Sequence, residues 1–206
     1  ITSYGETTAV GSAFDDEFKA LSTSEKQVFD GGAGDDDITG SGGDDDLSGG
    51  AGNDEIDGQN GNDTLFGGDG DDVIEGSQGD DVVGAQSGDD DVDGGAGNDS
   101  LYGSKGDDTI DGGDGDDFIR GNQDDDVLTG GAGADTFDFT KNDGVDVITD
   151  FEAGADLIGL AAFGFSSTSD FTIVEVDGDS VIDLGGGQQV TVEGVTGLTD
   201  SDFVFA

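Results

Sequence analysis

The sequence predicts an all-β solenoid: short strands wound into 18-residue coils and closed at the C-terminal end by a β-strand cap. Three observations predict it. A nine-residue period runs without insertion from Gly31 to Asp138. Within it, one position is always Asp and another, two residues later, is always apolar. Glycine accounts for 42 of the 206 residues and proline for none, far from ordinary globular usage.

The period divides residues 31–138 into twelve units. The sixth position is Asp36, Asp45, Asp54, Asp63, Asp72, Asp81, Asp90, Asp99, Asp108, Asp117, Asp126 and Asp135. Asp is roughly one residue in five, so an accidental run of this length in a fixed frame is on the order of 10⁻⁸. The eighth position is always apolar, from Ile38 and Leu47 through to Leu128 and Phe137. The fourth is Gly in eleven units, with Asp124 the exception. Each unit therefore reads as a glycine-rich turn of about six residues followed by a three-residue strand that points one side chain inward. Two units complete a coil. An acidic disordered tract has no use for an apolar residue held two positions after an Asp, so the period argues against that reading.

Composition limits the partners. The formal charge is −46, from 51 acidic and 5 basic residues, so the bare chain repels itself and stays expanded. Nucleic acid and anionic lipid demand clustered Lys and Arg, which are missing, and the attractive partner is cationic. Without Cys or His there is no disulfide, no thiolate or imidazole metal ligand and no histidine base. No apolar run approaches the roughly 20 residues that span a bilayer, which argues against membrane insertion. The N-terminus lacks the blocks of a signal peptide, and a chain starting at Ile1 reads as a piece of something longer.

One inward side chain per nine residues is a thin core against the cost of ordering glycine-rich backbone. If coils stack about 4.8 Å apart, each sixth-position Asp lies beside the Asp eighteen residues on, and the pair requires a cation between them. Calcium suits this best. It takes six to eight oxygens from carboxylates and carbonyls, whereas magnesium wants a strict octahedron and zinc prefers the absent His and Cys.

The units match G-G-x-G-x-D-x-U-x, where U is a large apolar residue, and so resemble the calcium-binding nonapeptides of the repeats-in-toxin (RTX) family over residues 31–138. The resemblance implies a right-handed parallel β-roll with calcium in two rows between coils. It also implies the ligands: carbonyls of positions two and four with the Asp of one turn, and carbonyls of positions one and three with the Asp one coil later. On this sequence, that sets Gly32, Gly34 and Asp36 against Gly49, Ala51 and Asp54, and, across the roll, Ser41, Gly43 and Asp45 against Gly58, Asn60 and Asp63. Further along the first side come Gly50 and Gly52 of the Asp54 turn against Gly67, Asp69 and Asp72, then Gly68 and Gly70 against Ala85, Ser87 and Asp90. That side ends with Gln86 and Gly88 against Gly103, Lys105 and Asp108, then Ser104 and Gly106 against Gly121, Gln123 and Asp126. The second side continues with Gln59 and Gly61 of the Asp63 turn against Gly76, Gln78 and Asp81, then Ser77 and Gly79 against Gly94, Ala96 and Asp99. Its last pairs set Gly95 and Gly97 against Gly112, Asp114 and Asp117, and Gly113 and Gly115 against Gly130, Ala132 and Asp135. Twelve turns give about ten complete sites. Position two is Gly at 32, 50 and 68 on one side but at 95, 113 and 131 on the other, so the alternation changes phase near Ala85 and Gln86. Asp124 marks the turn furthest from the pattern.

A stacked roll needs caps. Residues 1–30 hold "GSAFDDEFKA" and "STSEKQVFD", which resemble decayed repeats with Phe18 and Phe29 at the inward position. Residues 139–206 carry candidate strands "DVITDF", "FTIVEV", "SVIDL" and "QVTVEGV", with hairpin turns at Asp177-Gly178 and Gly185 to Gly187. The stretch "GGAGADTFDF…DVITDFEAGADLIGL" resembles the C-terminal ends of RTX exoproteins, including serralysin-type proteases. The closing "DSDFVFA" is similar to the uncleaved signal of type I secretion substrates; a plain final strand is the simpler reading.

No nucleophile or base stands out, so no enzyme activity is expected of this chain, and any catalytic domain would lie upstream of Ile1. The resemblance implies an extracellular or cell-surface module that is disordered without calcium, folds on secretion through the type I machinery, and stabilises its parent protein. The alternative is an adhesin, surface-layer or polysaccharide-binding module. For that role Phe66 and Tyr102, at position nine on one side and about 10 Å apart across Gly84, offer a platform.

Overall fold

Residues seven to nine of each repeat alternate outward, inward and outward, and this alternation builds two sheets facing across one core. In the computed structural model, which describes residues 2–3, 7–20 and 24–205, consecutive strands of the roll enter opposite sheets, and each pairs in parallel with the strand one coil away. Among the described residues one sheet has twelve strands and the other ten.

The register is that of the repeat. Leu47, Leu65, Val83, Leu101, Ile119 and Phe137 are successive partners in the ten-stranded sheet. Ile38, Ile56, Ile74, Val92, Ile110 and Leu128 are successive partners in the other. All twelve are at most 1% exposed, so the two ladders interdigitate as the hydrophobic core. Strands are longer than the three residues expected: Asp46–Ala51, Val82–Ser87 and Ser100–Lys105 each run through positions one to three of the next unit. Pairing survives because position two bends the chain without leaving the ladder, as in the Gly32–Gly50–Gly68 and Gly95–Gly113 pairings.

The ladders run past both ends of the repeat block. Phe18 pairs above Ile38 and Phe29 above Leu47, both buried, with their rings stacked 4.3 Å apart. Of the expected N-terminal cap, residues 1, 4–6 and 21–23 lie outside the described residues. At the other end Leu128 pairs with Ile148 and Phe137 with Ile158. Residues 141–149 and 151–159 are thus two further turns of the same roll, displaced by short insertions that break the nine-residue count.

Beyond them, Gln188–Val192 adds to the longer sheet in parallel beside Val145–Ile148, and Asp179–Gly185 and Thr172–Val176 follow antiparallel. The hairpins fall at Asp177-Gly178 and at Gly185 to Gly187, all with positive φ. The final strand, Phe203–Val204, pairs with Leu157–Gly159, and Phe203 and Phe205 pack around Phe171 with Phe165 on its other side. Aromatic side chains thus close the apolar end of the stack. Among the described residues no helix is long and apolar enough to cross a membrane.

Candidate metal centre

In eleven of the twelve repeat turns, two neighbouring peptide N–H groups face opposite ways along the stack, and each finds a side-chain oxygen on a different coil. The position-six N–H donates forward: Asp36 to Oδ1 of Asp54 at 2.7 Å, Asp54 to Asp72 at 2.8 Å, Asp63 to Asp81 at 2.6 Å, and so on to Asp117 and Asp135 at 2.9 Å. The position-five N–H donates backward: Asn53 to Oδ1 of Asp35 at 2.9 Å, Asp71 to Asn53 at 3.1 Å, Asp89 to Asp71 at 3.1 Å. This second ladder was missed in the sequence. Its signal was present, since position five is Asp or Asn in eleven of twelve units, Ala134 being the exception.

The forward ladder uses Oδ1 and leaves Oδ2. Oδ2 of Asp36, Asp54, Asp63, Asp72, Asp81, Asp90, Asp99, Asp108, Asp117 and Asp126 is buried and has no hydrogen-bond partner. A buried, unpaired carboxylate oxygen is costly, and ten in register require a common partner.

Their surroundings supply the rest of a coordination shell. A Cβ placed on Gly31 would lie within 3.0 Å of both Asp36 Oδ2 and the Gly49 carbonyl oxygen; the same pairing of own-turn Asp and next-coil position-one carbonyl recurs at Gly40, Gly58, Gly67, Gly76, Gly94, Gly103 and Gly112. Position-three carbonyls also face the previous coil: those of Ala51, Asp69, Gln78 and Ser87 accept from position-four N–H groups at 2.7 to 2.9 Å. Carbonyls of positions two and four face the next coil instead. Those of Gly32, Gly50 and Ser77 stand against position two one coil on, and those of Gly34, Gly52, Gly61 and Gly70 against position four. In the gap between Asp36 and Asp54, two carboxylates and the carbonyls of Gly32, Gly34, Gly49 and Ala51 therefore face one another, six oxygens in all, the lower end of what calcium accepts. A carbonyl has a second lone pair, so the position-three hydrogen bonds do not exhaust those ligands. Among the described residues no three acidic side chains converge as a carboxylate cage would need, so a cation here would have to draw most of its ligands from main-chain oxygens.

The ligand pattern needs left-handed backbone. Position four has positive φ from Gly52 (134°) to Gly115 (147°), and Asp124 is forced to 77°. At position two, Gln59, Ser77, Gln86, Ser104 and Asn122 also take φ between 77° and 96°, a region L-residues resist. The turn 40–48 departs: Ser41 and Gly43 are not left-handed, and Ser41 N–H donates to Asp45 Oδ2 at 2.7 Å.

Burial drives the electrostatics. Desolvation pushes the carboxyls of Asp63, Asp108 and Asp126 up to about 8, Asp72 to about 7, and Asp54, Asp81, Asp90, Asp99 and Asp117 to about 6. The donated N–H opposes this, and neighbouring carboxylates add to it. Such groups ionise at neutral pH at a cost that a cation relieves.

On the outer face of the ten-stranded sheet, Phe66 and Tyr102 flank Gly84 as the spacing predicts. Arg120 lies 5.9 Å from the Tyr102 ring and 5.4 Å from that of Phe118, and is ion-paired to Asp138.

Fold and site together define a class: a parallel two-sheet β-roll whose intercoil gaps are faced by buried Asp carboxylates and main-chain carbonyls. The profile of the RTX calcium-binding nonapeptide repeat matches residues 26–56, 48–83, 57–92, 84–119 and 111–141, more than half of the chain. The chain belongs to this family. Among solved structures it is similar to extracellular lipase LipA from Serratia marcescens, with 22% identity and a TM-score of 0.35, covering 91% of this chain and 41% of the lipase. It is also similar to the AlgE6R3 subunit of the Azotobacter vinelandii mannuronan C5-epimerase, with 27% identity and a TM-score of 0.42, covering 68% of this chain and 81% of that one. The chain thus spans less than half the length of the lipase. No curated protein matches it.

Proposed function

We propose that this chain is a calcium-driven folding module of an extracellular protein, held together by about ten calcium ions between its coils. The ten buried, unpaired Asp Oδ2 atoms carry this reading. Calcium, when bound, supplies the positive charge that facing carboxylates of successive coils share. The residues do the remainder: carbonyls at positions one to four complete the shell, position-six Oδ1 holds the register, and position eight seals the interior.

A chain of charge −46 without cations stays expanded where free calcium is low, as in the cytosol, and orders where calcium is plentiful. That behaviour suits export of an unfolded chain through a type I system with folding outside. The closing residues 200–206, "DSDFVFA", support it by likeness to secretion signals, alongside the final strand they form at Phe203–Val204. Any catalytic domain belongs to a part of the parent polypeptide N-terminal to Ile1, with this module as its stabiliser. The test is circular dichroism of the 206-residue chain during calcium addition and subsequent chelation, with magnesium as control. Strand signal should rise with calcium and vanish with chelator; signal indifferent to both defeats the proposal.

A further inference from the structure

Whether a turn leaves its Asp oxygen unpaired depends on the hand of position two. In all ten turns with an unpaired Oδ2, position two has positive φ, from Gly32 (100°) to Asn122 (80°). Three turns do otherwise. Ser12 N–H donates to Asp16 Oδ2, Ser41 N–H to Asp45 Oδ2 and Glu152 N–H to Asp156 Oδ2, each at 2.7 Å, and none of these three residues has positive φ. Each of these thirteen turns is therefore either open, with its oxygen free to meet a cation, or closed on its own amide. The closed turns lie toward the ends of the roll.

This rule moves the cation rows off the nine-residue frame. In the frame, Asp45 should share an ion with Asp63, yet Asp45 is spent on Ser41, whose Oγ is also held by Glu25 O at 3.1 Å. Conversely, the frame ends at Asp138, yet Asp126 is 1% exposed with an unpaired Oδ2 beyond which another turn follows. Residues 141–146 carry the marks of that turn. Asn142 is left-handed at φ 77°, Gly144 lies against the Asp124 carbonyl, Val145 N–H donates to Asp125 Oδ1 at 2.7 Å, and Asp126 N–H donates to Asp146 Oδ1 at 3.1 Å. Asp146 itself is 2% exposed.

We infer that the gap between Asp126 and Asp146 is a divalent-cation site completed by a residue outside the repeats, and that the gap between Asp45 and Asp63 is not a site. The inference rests on the calcium reading above and specifies it. Native mass spectrometry at saturating calcium counts the ions on the folded 206-residue chain. Asp146→Asn keeps an oxygen for the Asp126 amide but removes the charge, and should bind one ion fewer than wild type; Asp45→Asn should bind as many as wild type. Equal counts for wild type and Asp146→Asn, or a lost ion in Asp45→Asn, overturn the inference. Should either variant not fold, crystals of the wild-type chain with terbium decide: anomalous density is expected between Asp126 and Asp146 and not between Asp45 and Asp63, and the reverse at either gap overturns it. A wild type that binds no ion in any gap instead defeats the calcium reading itself.

Discussion

The carboxylate of Asp72 serves two coils: its Oδ1 accepts the Asp54 N–H at 2.8 Å, while its Oδ2 stands unpaired beside Gly67. On the calcium reading, Oδ2 is the atom left open to a cation while Oδ1 already carries a structural hydrogen bond, so the two roles can be probed separately. Asp72→Asn retains the acceptor and removes the charge, so it should raise the calcium midpoint at least about tenfold while the metal-free chain stays unfolded at neutral pH. Asp72→Ala should do both that and cost a further ~1–3 kcal/mol in saturating calcium, because the Asp54 amide is left buried and unsatisfied. Calcium titrations followed by circular dichroism, with urea unfolding at saturation, would show the two variants to be identical if the division of labour is wrong.

Protonation should mimic the cation in part. Ten of the twelve position-six carboxyls, Asp54 through Asp135, are raised in the fold from 3.8 to between about 6 and about 8, chiefly by desolvation, and those of Asp36 and Asp45 are raised as well. The native state therefore binds more protons than the unfolded chain, and stability falls as pH rises. For the metal-free chain the contribution is fully present below pH 3.8 and is lost between there and about pH 8. Strand signal in chelator should accordingly grow as pH is lowered from 8 toward 5, while in calcium the acid shift should release ions. A metal-free signal flat or falling over that range counts against the desolvated-carboxylate picture.

The position-five ladder needs an oxygen rather than a charge, since Asn53, Asn62 and Asn98 occupy it as readily as Asp71 or Asp89. Asp71→Asn should leave stability unchanged within about 0.5 kcal/mol, and Asp71→Ala should cost roughly 0.5–1.5 kcal/mol, the net worth of one hydrogen bond. Urea midpoints in saturating calcium distinguish them; a loss for Asn as large as that for Ala would mean that the charge, and so a cation, is involved there.

How much of this was legible depends on where the nine-residue frame holds. Between Gly31 and Asp138 the frame alone gives where strands begin, their eighteen-residue register and the buried ladders, because each inward residue is set by a count; it does not give their extension through positions one to three. The counter-running carbonyls follow from the family likeness, not from the period itself. Beyond Phe137 the spacing between facing Asp residues changes from 18 to 20 and 21, so Asp146 and Asp156 fall out of frame though they occupy the same place in space. The closed turn at Ser41 had no sequence signal at position two, for Ser77 and Ser104 are the same residue and left-handed. What differs is the packing of Ser41 against Glu25 in the neighbouring N-terminal coil.

Asp124 offers a test of what left-handed backbone costs this fold. It is the one non-glycine at position four and holds φ at 77°, with its side chain exposed and its carbonyl against Gly144. Asp in that region costs on the order of 1 kcal/mol or somewhat more, and Gly removes the cost. Two terms then compete. Gly loses about 0.4–1 kcal/mol by enlarging the unfolded ensemble, and loss of one negative charge from a chain at −46 favours the compact state. The carbonyl, which is what faces the next coil, survives the change. Asp124→Gly should therefore stabilise the calcium-loaded roll by about 0.5–1 kcal/mol with no change in bound ions, whereas Gly97→Ala, at φ 145° with the Gly79 carbonyl where its Cβ would go, should destabilise it by more than about 2 kcal/mol. If urea unfolding ranks Asp124→Gly below wild type, the strain at this turn is already relieved by something other than its φ, and glycine at position four is there for space alone.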